Sequence, residues 1–397
     1  MNWTRRKGDS SVAGSTAADR SLSFEACTDI EEFRSLRPEW DELFQRANGE
    51  YFQSFEYCNG SLMAEHAGTK RKLLCIVGRR GGKLVAVWPL LTSYRTCWKF
   101  AEPLTPQNQA PSDILVAPEP DADAIVQAAW RKTLALSRAD VFEFWRIRKT
   151  SPLYACLTSQ SITRRATEEF TPIATLRDEP DWTAYCRTRP SRERNAPEYL
   201  KRRLAKHGQF SMELIDASDE RLVPLIEWFV AQKRKWASEK ASDSHWVFSD
   251  ASLRFWKALL AGESKSSGVF RLFVLTFEGQ PIAANILGIS SGFVYLVANT
   301  YDLEHKKLSP GTILVDECVK WAYDNRLDFD FGPGEQRYKT SWSAGAKYAT
   351  SSFMVLATPW GQTGSMAKQF VKETREKARR VVSRVVRRAD VPAVSEE

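Results

Sequence analysis

The sequence predicts an α/β protein made of two related units, each a mixed, mostly antiparallel sheet flanked by helices. Two strand–turn–strand segments, at 71–91 and 270–289, leave their glycine turns through the same pattern, Gly-[Lys/Gln]-x-[Val/Ile]-Ala. An amphipathic helix precedes each segment, at 29–47 and at 219–239. The shared order of helix and hairpin, repeated half a chain later, indicates an internal duplication.

The first unit continues with a strand near 113–116, a helix at 121–137 and a strand at 141–147. The order hairpin, strand, helix, strand is typical of a sheet with helices packed on its faces. The second unit repeats this order. Its remaining elements are predicted at 292–301 (strand), 311–325 (helix), 327–331 (strand) and 349–357 (strand).

Charge is spread unevenly over the chain, which carries a net +8. Residues 186–206 hold eight Lys/Arg against two Glu, and residues 368–388 hold nine against two, so the remainder is acidic. A nucleic-acid binder more often shows basic residues across one folded face. General nucleic-acid binding is therefore not favoured.

The seven cysteines are scattered, with no Cys-x-x-Cys and no Cys/His cluster at metal-ligand spacing. We therefore expect no metal site, and free thiols in a reducing cytoplasm. No apolar run approaches the ~18 residues of a membrane span, and the Ser/Ala/Gly-rich start predicts a disordered tail.

The stretch KKLSPGT, residues 306–312, is a candidate anion site. Ser309 suits a helix N-cap, Pro310 suits the first helical position, and Gly311 leaves the backbone uncovered. A helix start of this kind offers free N–H groups to a phosphate, and Lys306 and Lys307 precede it. The alternative is an ordinary capped helix. Its place after one strand and before the next favours ligand binding, because ligands lie beyond the carboxyl ends of strands.

The second chemistry-bearing stretch is LDFDFGPGEQRYKTSW, residues 327–342. It begins as a buried strand, breaks at Gly332-Pro333-Gly334, and then places an acid, a phenol and an amine in succession. Glycines at the break let the chain turn sharply and approach a ligand closely.

These stretches resemble the GNAT acyltransferase superfamily. YDLEHKKLSPGTILVDECVKWA and DFDFGPGEQRYKTSWSAG are similar to the signature of its CelD-type acetyltransferases, bacterial proteins associated with polysaccharide synthesis, and two units in tandem resemble its Fem-like branch. The resemblance covers roughly residues 24–358 and implies two tandem GNAT-like domains. One departure is the general pyrophosphate loop, Q/R-x-x-G-x-G/A, where this chain has Leu308 and Ile313.

The resemblance implies direct attack of an amine on an acyl-CoA thioester lying between the strands 292–301 and 327–331. Glu335 is the candidate base or the anchor of the acceptor amine, and Asp330 is the second choice. Tyr338 is the candidate acid, with a packed aromatic as the alternative. Lys339 is a candidate for the thioester oxygen or a phosphate; the alternative is an ion pair with Asp330.

The remaining site predictions concern the two substrates. Acetyl-CoA or another acyl-CoA is the expected co-substrate. Its predicted binding residues are Lys306, Lys307, Ser309, Gly311 and Thr312. Tyr295 and Asn299 share one strand face and are predicted to line the acceptor site; core packing is the alternative for Tyr295.

The predicted organisation is a disordered tail at 1–22, an N-terminal GNAT-like domain at 23–175, a C-terminal catalytic domain at 176–360 with a basic helical arm at 190–208, and a basic amphipathic helix and tail at 361–397. The N-terminal domain is expected to bind no cofactor, because APEPDADAIVQAAW lacks the lysines and the glycine.

Three functions remain open. The first is an acyl-CoA-dependent N-acyltransferase, acetyl in the first instance, acting on a small-molecule or glycan amine such as an amino sugar in polysaccharide metabolism. The second is a Fem-like ligase using aminoacyl-tRNA, which the basic arm favours and the lack of a heptad run disfavours. The third is a non-catalytic scaffold with a decayed site.

The C-terminal helix at 364–389 has an apolar stripe opposite a basic face. It either contacts an anionic membrane surface through residues 368–388, giving a membrane-peripheral protein, or packs on the protein's own body.

Overall fold

The computed structural model describes residues 21–65, 70–106, 110–190, 196–239, 245–262 and 268–363. The strands are β1 (Leu22–Cys27), β2 (Lys72–Arg80), β3 (Lys83–Arg95), β4 (Trp98–Pro103), β5 (Leu115–Val116), β6 (Val141–Arg148), β7 (Thr163–Ala174), β8 (Phe210–Ile215), β9 (Phe270–Phe277), β10 (Gln280–Ser290), β11 (Phe293–Tyr301), β12 (Asp328–Asp330) and β13 (Lys347–Leu356).

The α-helices lie between these strands, singly or in groups of two or three. They are α1 (Ile30–Ser35), α2 (Arg37–Arg46), α3 (Phe55–Glu65), α4 (Ala122–Ser137), α5 (Pro152–Thr158), α6 (Trp182–Thr188), α7 (Ala196–Ala205), α8 (Leu222–Glu239), α9 (His245–Phe248), α10 (Asp250–Ala261), α11 (Pro310–Asp324) and α12 (Arg337–Ser343). Short 3₁₀ turns lie at Tyr51–Gln53 and Leu303–Leu308.

The strands join in one mixed sheet, in the order β1-β2-β3-β4-β6-β13-β7-β12-β11-β10-β9-β8, with β5 paired to β3. Most neighbours are antiparallel. The pairs β4/β6 and β11/β12 are parallel. The predicted fold class, mixed and mostly antiparallel sheet flanked by helices, is confirmed, and the sheets of the two halves are continuous.

The two halves repeat one arrangement of strands. In each, a hairpin (β2/β3 or β9/β10) is followed by a strand that pairs in parallel with a later strand. In the first half that strand is β4, and the predicted strand near 113–116 is only the two-residue β5. The mixed polarity of Trp98–Pro103 hides β4 from a search for apolar runs.

Strand β13 links the halves at the centre of the sheet. It follows the C-terminal half in sequence but lies between β6 and β7 of the N-terminal half. Strand β7 in turn pairs with β12 through Ala174–Phe329 and Ile173–Asp330. The predicted boundary at 175/176 stays a prediction, and three strand pairings cross it: β13/β6, β13/β7 and β12/β7.

An apolar core also spans both halves. Tyr51 and Phe55 of the N-terminal half share one cluster of buried side chains with Phe229, Phe255 and Tyr295 of the C-terminal half. Burial of large aromatic surface is a strong stabilising contribution. The halves are therefore held together by packing as well as by the sheet.

Several predicted segments lie wholly or mostly outside the described residues: most of the tail at 1–22 and the C-terminal helix at 364–389. Of the basic arm, 196–205 forms α7. No helix in the described part of the chain is long and apolar enough to cross a membrane.

Candidate active site

The parallel pair β11/β12 ends early and leaves a gap. Pairing runs from Phe293–Asp328 to Tyr295–Asp330, after which β12 stops while β11 continues to Tyr301. The chain then turns at Gly332, whose φ of 69° is in the left-handed region that favours glycine. The strands therefore separate just beyond Asp330.

A β-bulge lies on β11 beside this gap. Ala298 pairs with Ile286 and Leu296 pairs with Leu287, so Val297 is the extra residue. A bulge breaks the ladder locally and redirects the backbone. Leu296, Val297, Ala298 and Asn299 all line the cavity next to it.

A cavity of about 340 Å³ lies between the two halves at this point. The N-terminal half contributes acidic, basic and aromatic side chains to it, and the C-terminal half contributes β11, the turn after β12, and α8 to α10. Its charged and hydroxyl-bearing lining residues are Glu50, Tyr51, Tyr57, Arg146, Arg148, Thr171, Lys233, Ser252, Tyr295, Asp330, Tyr338, Lys339, Tyr348 and Thr350.

Charged side chains that are buried or half-buried form the floor of the cavity. Arg148 Nε donates to Glu50 Oε1 at 2.8 Å, and Arg148 Nη2 lies 3.6 Å from Asp330 Oδ2. The hydroxyl of Tyr348 donates to Asp330 Oδ2 at 2.6 Å, and the Gly332 amide donates to Oδ1 at 2.7 Å. The Arg148 guanidinium lies 3.9 Å from the centre of the Tyr348 ring. Arg148 thus joins the acid of one half to the acid of the other.

Burial shifts the protonation of these acids. Desolvation raises the pKa of Asp330 above its ordinary value, against the opposing effect of the Tyr348 hydroxyl. Desolvation also raises the pKa of Glu50 to about 7, and Asp330 adds to the shift. Carboxylates with raised pKa values at a cavity are suited to proton transfer near neutral pH.

Two hydroxyls at the floor lack partners. Neither the hydroxyl of Tyr295 nor Oγ1 of Thr350 has a hydrogen-bond partner among the described residues, although both side chains are buried. The ring of Tyr295 lies against that of Tyr51 at a tilt of 54°, with ring centres 4.9 Å apart. Since unpartnered buried polar groups are costly, these hydroxyls are available to a ligand.

The structure brings several predicted site residues together here. Asp330, Tyr338, Lys339, Tyr295 and Asn299 all line the cavity. A hydrogen bond joins the Tyr338 hydroxyl to Asn299, and burial raises the pKa of Tyr338.

Lys339 holds the turn after β12. Its ammonium donates to the carbonyls of Pro333 at 2.8 Å and Gly332 at 3.3 Å. Desolvation lowers the pKa of Lys339 to about 8. The contact with Asp330 is electrostatic, without a direct hydrogen bond among the described contacts.

Glu335 lies apart from this group. Its side chain is 67% exposed, with Oε1 3.8 Å from Lys347 Nζ, and it is not among the lining residues. The turn at Gly334 directs Glu335 outward before α12 begins.

The predicted cofactor residues lie at the start of α11, beyond the carboxyl end of β11. Ser309 has a left-handed backbone, and its hydroxyl accepts a hydrogen bond from Arg203 of α7 at 3.1 Å instead of capping the helix. Arg203 also donates to the Lys307 carbonyl at 2.7 Å. Gly311 is needed for packing, because a Cβ there would lie 3.1 Å from the Tyr301 ring.

The other residues at the helix start remain accessible. Lys306, Lys307 and Thr312 are exposed. Together with the basic helix α7, they give this end of the gap a positive surface suited to phosphate groups.

Sequence reasoning missed the N-terminal contribution to the site. Glu50, Arg146 and Arg148 come from a 3₁₀ turn and from β6, far from Asp330 in sequence. One signal was available: two arginines alternate with apolar residues at the end of the strand VFEFWRIR. Arg146 also has a φ of 54°, which is strained in a strand and is associated with functional sites. Among the described residues no His/Cys/Asp/Glu cluster could hold a metal ion.

Known proteins match part of the sequence and share the fold. Residues 191–340, less than half of the chain, match the family model of the acetyltransferase (GNAT) domain. The fold is similar to the crystal structure of FemX, with a TM-score of 0.58 at 12% identity, covering 85% of this chain and 99% of that chain. No curated protein sequence matches the chain.

A second structure shares the fold. It is the C-terminal domain of a putative lysylphosphatidylglycerol synthetase from Agrobacterium fabrum, with a TM-score of 0.50 at 10% identity, covering 85% of this chain and 96% of that chain. Residues 191–340 therefore match a GNAT domain, and the overall fold is similar to that of FemX. The GNAT domain match makes the protein an acyltransferase.

The raised pKa of Glu50 predicts how stability depends on pH. In the folded protein Glu50 keeps its proton up to about pH 7, whereas in the unfolded chain it loses that proton above the ordinary pKa of 4.5. The contribution of Glu50 to the free energy of unfolding therefore falls as pH rises from 4.5 to about 7. Glu50→Gln removes that dependence. We expect the wild-type free energy of unfolding to fall relative to that of Glu50→Gln across this window in denaturant titrations.

The exposed Glu42, whose side chain is 63% accessible, supplies the control. Glu42→Gln should follow the wild-type pH profile. Parallel profiles for wild type and Glu50→Gln would show that Glu50 titrates normally.

Proposed function

We propose that the protein transfers an acyl group, acetyl in the first instance, from acyl-CoA to a primary amine. The observation that carries this proposal is the gap between β11 and β12, which opens beyond Asp330 onto a cavity with buried carboxylates. The GNAT domain match at 191–340 supports the reaction class.

In the proposed reaction the thioester lies in the gap, beside the bulge at Val297. Backbone N–H groups of β11 would stabilise the negative charge that develops on the thioester oxygen. The amine nitrogen attacks the carbonyl carbon, the C–S bond breaks, and the amide forms. The nitrogen loses a proton to Asp330, and the departing thiolate takes one from Tyr338.

Asp330 is a better placed base than Glu335. It is 2% exposed, lies at the end of the shortened strand and lines the cavity. Burial raises the pKa of Asp330, which makes its carboxylate a stronger base. Lys339 then keeps the turn after β12 in place through its two carbonyl contacts.

The donor's phosphates would lie at the start of α11. Lys306, Lys307, Gly311 and Thr312 would face them, with Ser309 held by Arg203. Because Leu308 and Ile313 depart from the general pyrophosphate loop, the positive charge that binds the phosphates would come from Lys306, Lys307 and the N-terminal end of α11.

The acceptor would enter the cavity between the halves, where Tyr295 and Asn299 meet it. The cavity combines aromatic walls with unpartnered hydroxyls, which suits an amino sugar or a similar polar amine. A role in polysaccharide metabolism follows from the family resemblance. Seven unpaired cysteines agree with a reducing, cytoplasmic setting. A protein bound to the cytoplasmic side of a membrane would share that setting.

The second candidate is transfer from aminoacyl-tRNA, as in a Fem-like ligase. The observation that favours it is the basic helix α7, which carries Lys201, Arg202 and Arg203. This helix lies beside the start of α11, where the donor's phosphates would bind. Cations along one helix are suited to a phosphate backbone.

Acyl-CoA should raise the melting temperature of the protein. A ligand at ~100 times its dissociation constant adds about 2.7 kcal/mol to the stability of the folded state. Differential scanning fluorimetry with acetyl-CoA, longer acyl-CoAs and tRNA measures this directly. A shift with tRNA alone would favour the second candidate, and no shift with any acyl-CoA would remove the cofactor assignment.

Replacement of the two candidate bases separates their roles. Asp330→Asn should lower turnover by about 10²–10⁴-fold, the usual effect of losing a general base, while acyl-CoA affinity stays close to that of wild type. Glu335→Gln should change turnover less than twofold, since the side chain is exposed. The reverse order of effects in a steady-state thiol-release assay would assign the base to Glu335.

A further inference from the structure

The cationic side chains of the cavity differ in which neighbouring groups balance their positive charge. Arg148 pairs with Glu50, and Lys339 donates to two backbone carbonyls. Arg146 donates to Glu169 at 2.7 Å. Lys233 of α8 has no ion pair and no hydrogen bond among the described residues. Its ammonium lies 5.7 Å from the centre of the Trp236 ring.

The surroundings of Lys233 are apolar. Val230, Trp246 and Trp256 line the same cavity. Desolvation lowers the pKa of Lys233 to about 8. An uncompensated cation in low-dielectric surroundings is unfavourable unless an anion binds beside it.

We propose that Lys233 is the binding group for an anionic substituent of the acceptor, so that the acceptor is an amine that also carries a carboxylate or a phosphate. This inference rests on the proposed function, because it names the acceptor of that reaction. The amine end would face Asp330, and the anionic end would face Lys233 on α8.

The charge balance of the cavity agrees with such an acceptor. Arg148, Lys233 and Lys339 line it against two acids, Glu50 and Asp330, while Arg146 is balanced by Glu169, which lies outside the lining. The lining therefore has one cation in excess, and an anionic group beside Lys233 would supply the counter-charge that Lys233 lacks among the described residues. An electrostatic contact inside an apolar cavity is stronger than one in water.

The test uses two matched pairs of acceptors with acetyl-CoA as donor: glycine with glycinamide, and glucosamine 6-phosphate with glucosamine. The first pair tests a carboxylate and the second tests a phosphate. Lys233→Met should raise KM for the anionic member of the preferred pair by about 10- to 100-fold, the effect of losing one charge-assisted contact. KM for the neutral member and the dissociation constant of acetyl-CoA should not change.

Two further variants complete the design. Lys233→Arg keeps the charge and should keep most of the affinity for the anionic acceptor. Lys235→Met changes an exposed lysine of the same helix and should match wild type throughout. Equal effects of Lys233→Met on both members of each pair, or wild-type preference for the neutral members, would overturn the proposal.

Failure of the proposed function is detected separately. If no acceptor is acetylated, ligand-detected NMR with the four compounds and no acetyl-CoA decides the question. Selective binding of an anionic member that disappears in Lys233→Met would support the Lys233 site even then. Binding without preference for charge, or no binding, would overturn it.

Discussion

The contact of Arg148 with Glu50 on one side and Asp330 on the other is the interaction on which the site depends. Two buried carboxylates near each other are unfavourable unless a cation lies between them. Arg148 supplies that cation from β6 of the N-terminal half, and the Tyr348 ring covers it from β13. Strand β13 and strand β7 place these groups together by joining the halves at the centre of the sheet.

The N-terminal half has ion pairs at the end of its own parallel strand pair, β4/β6. Strands β4 and β6 pair through Phe100–Val141 and Ala101–Phe142. The next residues, Glu102 and Glu143, both accept from Arg95, at 2.6 and 2.7 Å. Arg95 thus links β4 to β6 just past their last paired residues, whereas β11 and β12 separate just past theirs. This contrast gives a physical reason for the prediction that only the C-terminal half binds a cofactor.

Much of the fold could be predicted because its signals are local. The hairpins follow from glycine turns between apolar runs, and α11 follows from Ser309-Pro310-Gly311. The position of β13 could not be predicted, since its partners β6 and β7 are far away in sequence.

The site divides in the same way. Asp330, Tyr338 and Lys339 stand beside a glycine break, and their place at the cavity could be expected. Glu335 shares that signal, but its exposure depends on the turn geometry. Glu50 and Arg148 carry no local mark of function, because their role arises only from contacts between the halves.

The turnover of Arg148→Met tests the central claim most directly, with acyl-CoA affinity and cooperative unfolding measured on the same sample. Since Arg148 lies in the half that is expected to bind no cofactor, we predict a folded protein with near wild-type acyl-CoA affinity. Its turnover should be lower by about 10²-fold or more, because both carboxylates lose the cation that favours their ionised form against desolvation. Wild-type turnover would contradict a reaction centre built jointly by the two halves.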